Sequence, residues 1–294
     1  MSRAFEVSKA LRGRRSGEGW ICHCPAHDDS RPSLSVRDGE DGILLFFCHA
    51  GCSAANVASA LGGLGYSQSR FNGVRSETRR DESDWKKEQI RSEQRRILAS
   101  KKLWLKTLPP KNSPVEVYLR KRGFDGNIPP TIRYCPNADH TTSRQQFPAM
   151  IAAIAIWPNR EVTAVHRTYL AKDGSSKAPV ADPKKMLGLV KGGAVRFGPV
   201  KRKIVVCEGI ETGLSVLTAT GDPVWAALST GGITSLVLPD FVKSVTIAAD
   251  NDEPGIKAAQ LAAEKWKLEG RAVHIAVPPI YGADFNDLAM EGVK

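Results

Sequence analysis

The chain has 294 residues, room for about two domains, or three if one is held together by metal. Hydrophobic residues make up 41% and charged residues 25%, as in ordinary globular proteins, and no stretch nears the roughly 20 apolar residues of a membrane span. Lys and Arg exceed Asp and Glu by 42 to 31, a net charge of +11 that favours polyanionic partners such as nucleic acid.

The amino terminus, MSRAFEVSKALRGRRSGEGW, has no apolar core or cleavage pattern, so a cytoplasmic chain without a signal peptide is expected. Residues 1–66 carry short β-rich runs (PSLSV, GILLFF) and a helical stretch from Ser53 to Leu61. Four of the six cysteines, Cys22, Cys24, Cys48 and Cys52, lie here beside His23, His27 and His49; Cys135 and Cys207 stand apart. Such clustering in a cytosolic chain points to metal and not to disulfides. Cys24 and His27 form a Cys-x-x-His pair, and Cys48 and Cys52 a Cys-x-x-x-Cys pair. Two close pairs separated by a hairpin-sized insert supply the four ligands of tetrahedral zinc. Cys22, His23 or His49 can substitute for one of them, Cys22 foremost. So small a region buries little apolar surface, and the metal would contribute much of its folding energy.

Residues 67–112 are polar and charge-dense, reading as a linker and then a basic helix from Ser83 that Pro109-Pro110 end. Its candidate packed positions are Trp85, Ile90, Ile97, Leu98, Leu103, Trp104 and Leu108. From about Ser113 a short helix (PVEVYLRKRG) precedes the strands MIAAIAIW and VTAVHRTYL. A basic, turn-rich segment follows with Arg167, Lys172, Lys177, Lys184, Lys185 and Lys191, suited to triphosphates or a template backbone. From Lys203 strands and helices alternate: KIVVCE, ETGLSVLTAT, VWAALS, SVTIAA, EPGIKAAQLAAEKWKLEG and AVHIAV. That alternation predicts a parallel sheet covered on both faces.

Two of these strands end in acid: KIVVC in Glu208-Gly209, and SVTIAA in Asp250-Asn251-Asp252. Open α/β sheets place ligands at the carboxyl ends of their strands. In extended backbone residues i and i+2 point the same way, so Asp250 and Asp252 are expected to converge on one cation, and Gly209 to permit a sharp turn. Carboxylates on a basic chain suit phosphate chemistry only through a cation, and magnesium bridges carboxylates to phosphates. Asp250 and Asp252 are the expected magnesium ligands, with Glu208 a further ligand or a proton carrier. Asp284 and Asp287 are expected to complete the site, Asp287 alternatively capping the terminal helix, and Glu211 either favours a helix dipole or touches metal.

The segments CPAHDDSRPSLSV and CHAGC resemble the CHC-type zinc ribbon of bacterial and phage primases, although three residues separate the last cysteines where those ribbons commonly have two. VVCEGIETGLSV, IAADNDEPGIKAA and GADFNDL resemble the Toprim domain of DnaG-type primases, in the form found in phage and plasmid primases. HRTYL, SPVEVYLRKRG and FPAMIAAI resemble the amino-terminal part of the primase polymerase core. The resemblance implies a multidomain α+β and α/β fold. Its expected parts are a zinc-ribbon β domain (1–66), a charged linker and helix (67–112), an amino-terminal core subdomain (113–200) and a Toprim parallel-sheet domain (201–294).

The implied activity is synthesis of RNA primers on single-stranded DNA from nucleoside triphosphates. Zinc is then structural, held by Cys24, His27, Cys48 and Cys52. Magnesium, or manganese in its place, is catalytic at Glu208, Asp250 and Asp252. Arg167, Lys177 and Lys185 are the candidate nucleotide- and template-binding residues, and Arg31 and Arg37 the ribbon's nominated template contacts. STGGITS lacks the lysine of a phosphate loop, so a separate replicative helicase is an expected partner and no membrane is. Two other functions use the same residues: a Toprim nuclease, and a zinc-dependent DNA-binding accessory protein without catalysis.

Overall fold

The computed structural model describes residues 2–39, 43–66 and 80–292, the side chains of 80–86 excepted. The expected linker before residue 80 and the packing expected of Trp85 lie outside the described residues. The chain divides into two units, Met1–Lys87 and Glu88–Lys294. Among the described residues no helix is long and apolar enough to cross a membrane.

The first unit is an antiparallel meander: β1 (Arg14–Ser16), β2 (Gly19–Cys22), β3 (Leu34–Asp38) and β4 (Leu44–Cys48) pair in chain order. Helix α1 (Arg3–Ala10) precedes it and α2 (Ala54–Gly63) follows. The period-two pattern of β3 buries Leu34 and Val36, which join Val7, Val57 and Leu61 in the unit's core. Ser53 caps α2, its hydroxyl accepting the Asn56 N–H at 3.2 Å.

The second unit starts within α3 (Arg80–Leu105) and continues through α4 (Pro114–Lys121), β5 (Ile132–His140), β6 (Gln145–Ile156), β7 (Ala164–Tyr169), β8 (Lys184–Gly188) and β9 (Gly193–Phe197). Then come β10 (Lys203–Cys207), α5 (Ile210–Thr220), β11 (Val224–Ala226), α6 (Thr230–Ser235), β12 (Ser244–Ala248), α7 (Glu253–Leu268), β13 (Ala272–Ala276) and α8 (Phe285–Glu291). All nine strands form one sheet in the order β13-β12-β10-β11-β9-β6-β7-β8, with β5 also on β6. The expected parallel part is β10 to β13; β11 then pairs antiparallel with β9, so the sheet is mixed and runs unbroken past residue 200.

The parallel strands are apolar on both sides because helices cover both faces. Val205 and Cys207 of β10 pack with Ile210 and Leu214 of α5, whereas Ile204 and Val206 pack with Ala259 and Trp266 of α7. Position follows from connectivity. The chain leaves β10 for β11 on one side and returns to β12 on the other, so the connections diverge between β10 and β12. That is the switch point where α/β sheets open a crevice for ligands.

Three expectations for α3 fail. Ile90, Leu98 and Leu108 are 47%, 57% and 49% exposed, while Leu103 and Trp104 pack on the sheet and Arg133 stacks on the Trp104 ring at 5.0 Å. The charge-rich helix buries a narrow stripe near its carboxyl end, and Leu108 lies beyond it, bridged to Tyr134.

Between β7 and β8 the chain makes a tight turn in which Leu170 bridges to Lys177 and Gly174 takes a φ of +72°. A Cβ on Gly174 would lie 2.3 Å from the Pro114 carbonyl oxygen, so only glycine lets this turn lie against α4. Gly174→Ala is expected to destabilise the fold by about 2–3 kcal/mol, measured by urea unfolding; wild-type stability would contradict the close approach.

Candidate metal centres

Among the described residues, Cys24, His27, Cys48 and Cys52 are the set that offers ligand atoms all within 4.8 Å of one another. Ligand atoms around tetrahedral zinc stand roughly 3.5–3.8 Å apart, so three thiols and an imidazole at this spacing fit that ion. His27 Nδ1 lies 3.1 Å from Cys52 Sγ and 4.0 Å from Cys48 Sγ, while its Nε2 lies 3.5 Å from an Asp29 carboxylate oxygen. Gly51, at φ +99°, turns the chain back between Cys48 and Cys52, which accommodates the longer spacing of that pair. Cys22 is not part of the set. It ends β2 with its side chain in the core, where its thiol donates to the Leu34 carbonyl at 3.3 Å and burial pushes it up to about 11.

Asp29 organises this turn, and sequence reasoning passed over it. Its carboxylate accepts the Cys24 N–H at 2.7 Å, the Ser33 hydroxyl at 2.7 Å and the Ser33 N–H at 3.1 Å. Partial burial pushes its carboxyl up, but these bonds outweigh that and hold it at about 2. A carboxylate behind a ligating histidine fixes the ring and raises its basicity. Desolvation opposes ionisation of Cys48 too, yet N–H groups of Cys52 and Ala50 and the Ser33 hydroxyl bring its thiol down to about 6. The signal in the sequence was the acid pair directly after His27. Arg31 and Arg37 are exposed, and Arg37 borders a cavity of about 540 Å³ on the sheet beside Trp20.

The acidic residues cluster at the switch point. Parallel register sets Cys207 beside Ala248, so Glu208 emerges one residue after β10 and Asp250 two residues after β12. Glu208 is held above the ordinary carboxylate range by burial and by Asp252. Burial, then the charges of Glu208, Asp284, Asp252 and Asp287, push Asp250 up to about 7. One Asp250 oxygen is buried without a hydrogen-bond partner. An unpartnered acceptor amid like charges suits a cation, and oxygen donors suit magnesium. Glu208, Asp250 and Asp252 do not gather as tightly as the thiols, however: no such set meets the 4.8 Å spacing among the described residues.

The other acids have structural tasks. Asp252 caps α7, one oxygen accepting the Gly255 N–H at 2.7 Å; a Cβ on Gly255 would lie 2.7 Å from the Asp250 carbonyl oxygen. Asp284 and Asp287 form a reciprocal capping box on α8, and Asp284 also accepts the Thr212 hydroxyl at 3.1 Å. Asn251, between the two aspartates, pins the preceding loop: its amide bonds the Pro278 carbonyl at 2.9 Å, and its backbone bonds Ala283 and Gly282. Gly209 has a φ of −85°, which any residue adopts, but a Cβ there would lie 3.1 Å from the Thr212 hydroxyl oxygen, so close approach and not the backbone angle favours glycine. Glu211 is buried, bonded to Tyr118 and flanked by Lys177 and Lys184.

The basic candidates divide between the faces of the sheet. Arg167 and Lys185 are directly paired across β7 and β8, whereas Lys184 pairs with Thr168 and so points the other way. Lys185 bonds the Thr142 hydroxyl, and Arg167 reaches the Asp139 carbonyl at 3.5 Å. Lys177 joins Lys184 at Glu211.

The arrangement therefore defines an α/β sheet with an acidic centre at its switch point, in a chain that also carries a Cys/His metal cluster. Residues 203–294 match the model of the Toprim domain. Residues 94–197 match a domain of unknown function (DUF7146). No curated protein matches the chain. Among solved structures the chain is similar to the zinc-binding and RNA polymerase domains of the Aquifex aeolicus primase, at 18% identity and a TM-score of 0.43, over 99% of this chain and 80% of that one. It is similar to a DNA primase domain from Pseudomonas aeruginosa at 17% identity and a TM-score of 0.42, over 62% and 68% of the two chains. The primase fragment of the bacteriophage T7 primase-helicase gives 19% identity and a TM-score of 0.40, over 60% and 65%.

Asp29→Asn is expected to lower zinc affinity roughly 10- to 100-fold in a chelator competition, while Cys22→Ala keeps one zinc per chain by metal analysis. Loss of the metal from Cys22→Ala would put that thiol back among the ligands.

Proposed function

We propose that the chain is a DNA primase that makes short RNA primers on single-stranded DNA by metal-dependent nucleotidyl transfer. The observation that carries this reading is the half-buried Asp250 carboxylate, one oxygen of it without a hydrogen-bond partner, beside Glu208 at the switch point of a segment that matches the Toprim domain. Glu208, Asp250 and Asp252 would hold magnesium or manganese, with Asp284 and Asp287 supporting the site from α8. When bound, the ion supplies charge neutralisation on the triphosphate and the leaving pyrophosphate.

The chain's own groups do the rest. Glu208, beside the proposed ion, either completes its ligands or accepts the proton of an attacking 3′-hydroxyl. Lys177 receives the triphosphate, and Arg167 and Lys185, on the other face, contact the template backbone. In the first unit the zinc-bound ribbon would engage template through Arg31 and Arg37. A phage or plasmid origin, a cytoplasmic location and a separate replicative helicase complete the proposal.

The test is a templated synthesis assay with zinc-loaded protein, magnesium, single-stranded DNA and each nucleotide set. Short oligomers are expected, with Asp250→Asn reducing their yield roughly a hundredfold or more at unchanged secondary structure. Magnesium-dependent cutting of labelled DNA or RNA without nucleotides, and no oligomers, would replace the reading with a Toprim nuclease. Tight DNA binding with neither product, unaffected by Asp252→Ala, would replace it with an accessory protein.

A further inference from the structure

Glu211, in the first turn of α5, follows Glu208 by three residues but faces a different set of groups. Its residue is 8% exposed, and a carboxylate so buried must be paired to remain charged. Three partners from separate segments meet it. The Tyr118 hydroxyl of α4 donates to Oε1 at 2.7 Å, Lys184 of β8 stands 3.6 Å from Oε2, and Lys177 of the β7–β8 turn stands 4.0 Å from Oε1. Desolvation opposes its charge, but Lys184, Tyr118 and Lys177 prevail and hold it at about 2. The adjoining His166 is buried and brought down to about 4, chiefly by burial and by Lys184, so it adds no positive charge near neutrality.

The two ammonium groups outnumber the one carboxylate, which leaves a positive surplus. Lys177 lies at the wall of a cavity of about 470 Å³ lined also by Tyr118, Lys121, Arg122, Ser175 and Ser176. This volume suits a small ligand, and its lining of cations and hydroxyls suits phosphate oxygens. The wall is tied to the acidic end of the sheet: Asn286, within the Asp284–Asp287 cap, donates to the Arg122 carbonyl at 2.7 Å. Burial disfavours the charge on Lys177, and repulsion from Lys184 and Arg122 adds to that cost. Glu211 is the buried anion that lets these cations stand together.

We propose that Glu211 is a positioning residue whose buried carboxylate, anchored by Tyr118 and paired with Lys184, holds Lys177 at the cavity wall to receive the polyphosphate of a nucleoside triphosphate. This rests on the nucleotidyl-transfer reading and adds to it a residue that need not touch the ligand.

Calorimetric titration of the full zinc-loaded chain with magnesium tripolyphosphate and with magnesium ATP tests it. Glu211→Gln, which keeps the shape and an acceptor for Tyr118, is expected to weaken both affinities roughly tenfold, as is Lys177→Ala. The double variant is expected to lose no more than Lys177→Ala alone, and Glu211→Asp to recover part of the loss. In primer synthesis, Glu211→Gln is expected to raise the nucleotide KM with kcat changed less than about twofold. If Glu211→Gln does not fold, Tyr118→Phe replaces it, with a smaller loss that again vanishes in the Lys177→Ala background. Wild-type affinity in Glu211→Gln, losses that multiply in the double variant, or a wild-type chain that binds no tripolyphosphate would each overturn the proposal. Coupling between residues 211 and 177 in a chain that makes no oligomers would support it and overturn the priming reading alone.

Discussion

Parallel pairing of β10 with β12 brings two negative groups to the same end of the sheet, and helices on both faces keep them there. Cys207 and Ala248 are partners in that ladder, so Glu208 and Asp250 have no freedom to separate by sliding. Burial and mutual repulsion raise both carboxyls, a cost the fold sustains without pairing one Asp250 oxygen. A structural site would have supplied it a donor. Perturbed carboxyls at a switch point are the features on which the proposed cation site rests.

The two proposed metal centres differ in the chemistry they suit. The Cys/His set is closed: four donors gather around one point, and Asp29 satisfies the turn behind them. An ion held there would add to the stability of the small core around Leu34, Val36 and Val57. The acidic set is open and more widely spaced, as befits an ion that keeps water and shares its coordination with substrate. Asp252, Asp284 and Asp287 combine proximity to that centre with capping of α7 and α8. Helix termini and acidic site are thus built from the same residues.

The sequence made legible those features whose physics is local. Cys24–His27 and Cys48–Cys52 are short-range pairs, and apolar runs ending in Glu208 and Asp250 announce strand ends. Cys22 stayed ambiguous because its exclusion depends on where β2 ends and which face it turns inward. Tyr118 and Glu211 are 93 residues apart, so no spacing reveals their bond. Lys184 and Lys185 are neighbours whose faces are decided by pairing with Thr168 and Arg167, a register that composition does not fix. The exposed Ile90 and Leu98 show the limit of periodicity in a helix dominated by charge, where a few apolar residues fit several stripes.

Glu208 and Asp250 are proposed to form a divalent-cation site. Manganese titration followed by electron paramagnetic resonance, on zinc-loaded protein with a nucleoside triphosphate present, tests it without requiring turnover. Tight binding is expected in the wild-type chain, weakened roughly tenfold or more in Glu208→Gln and in Asp250→Asn. Equal manganese affinity in all three proteins would contradict it.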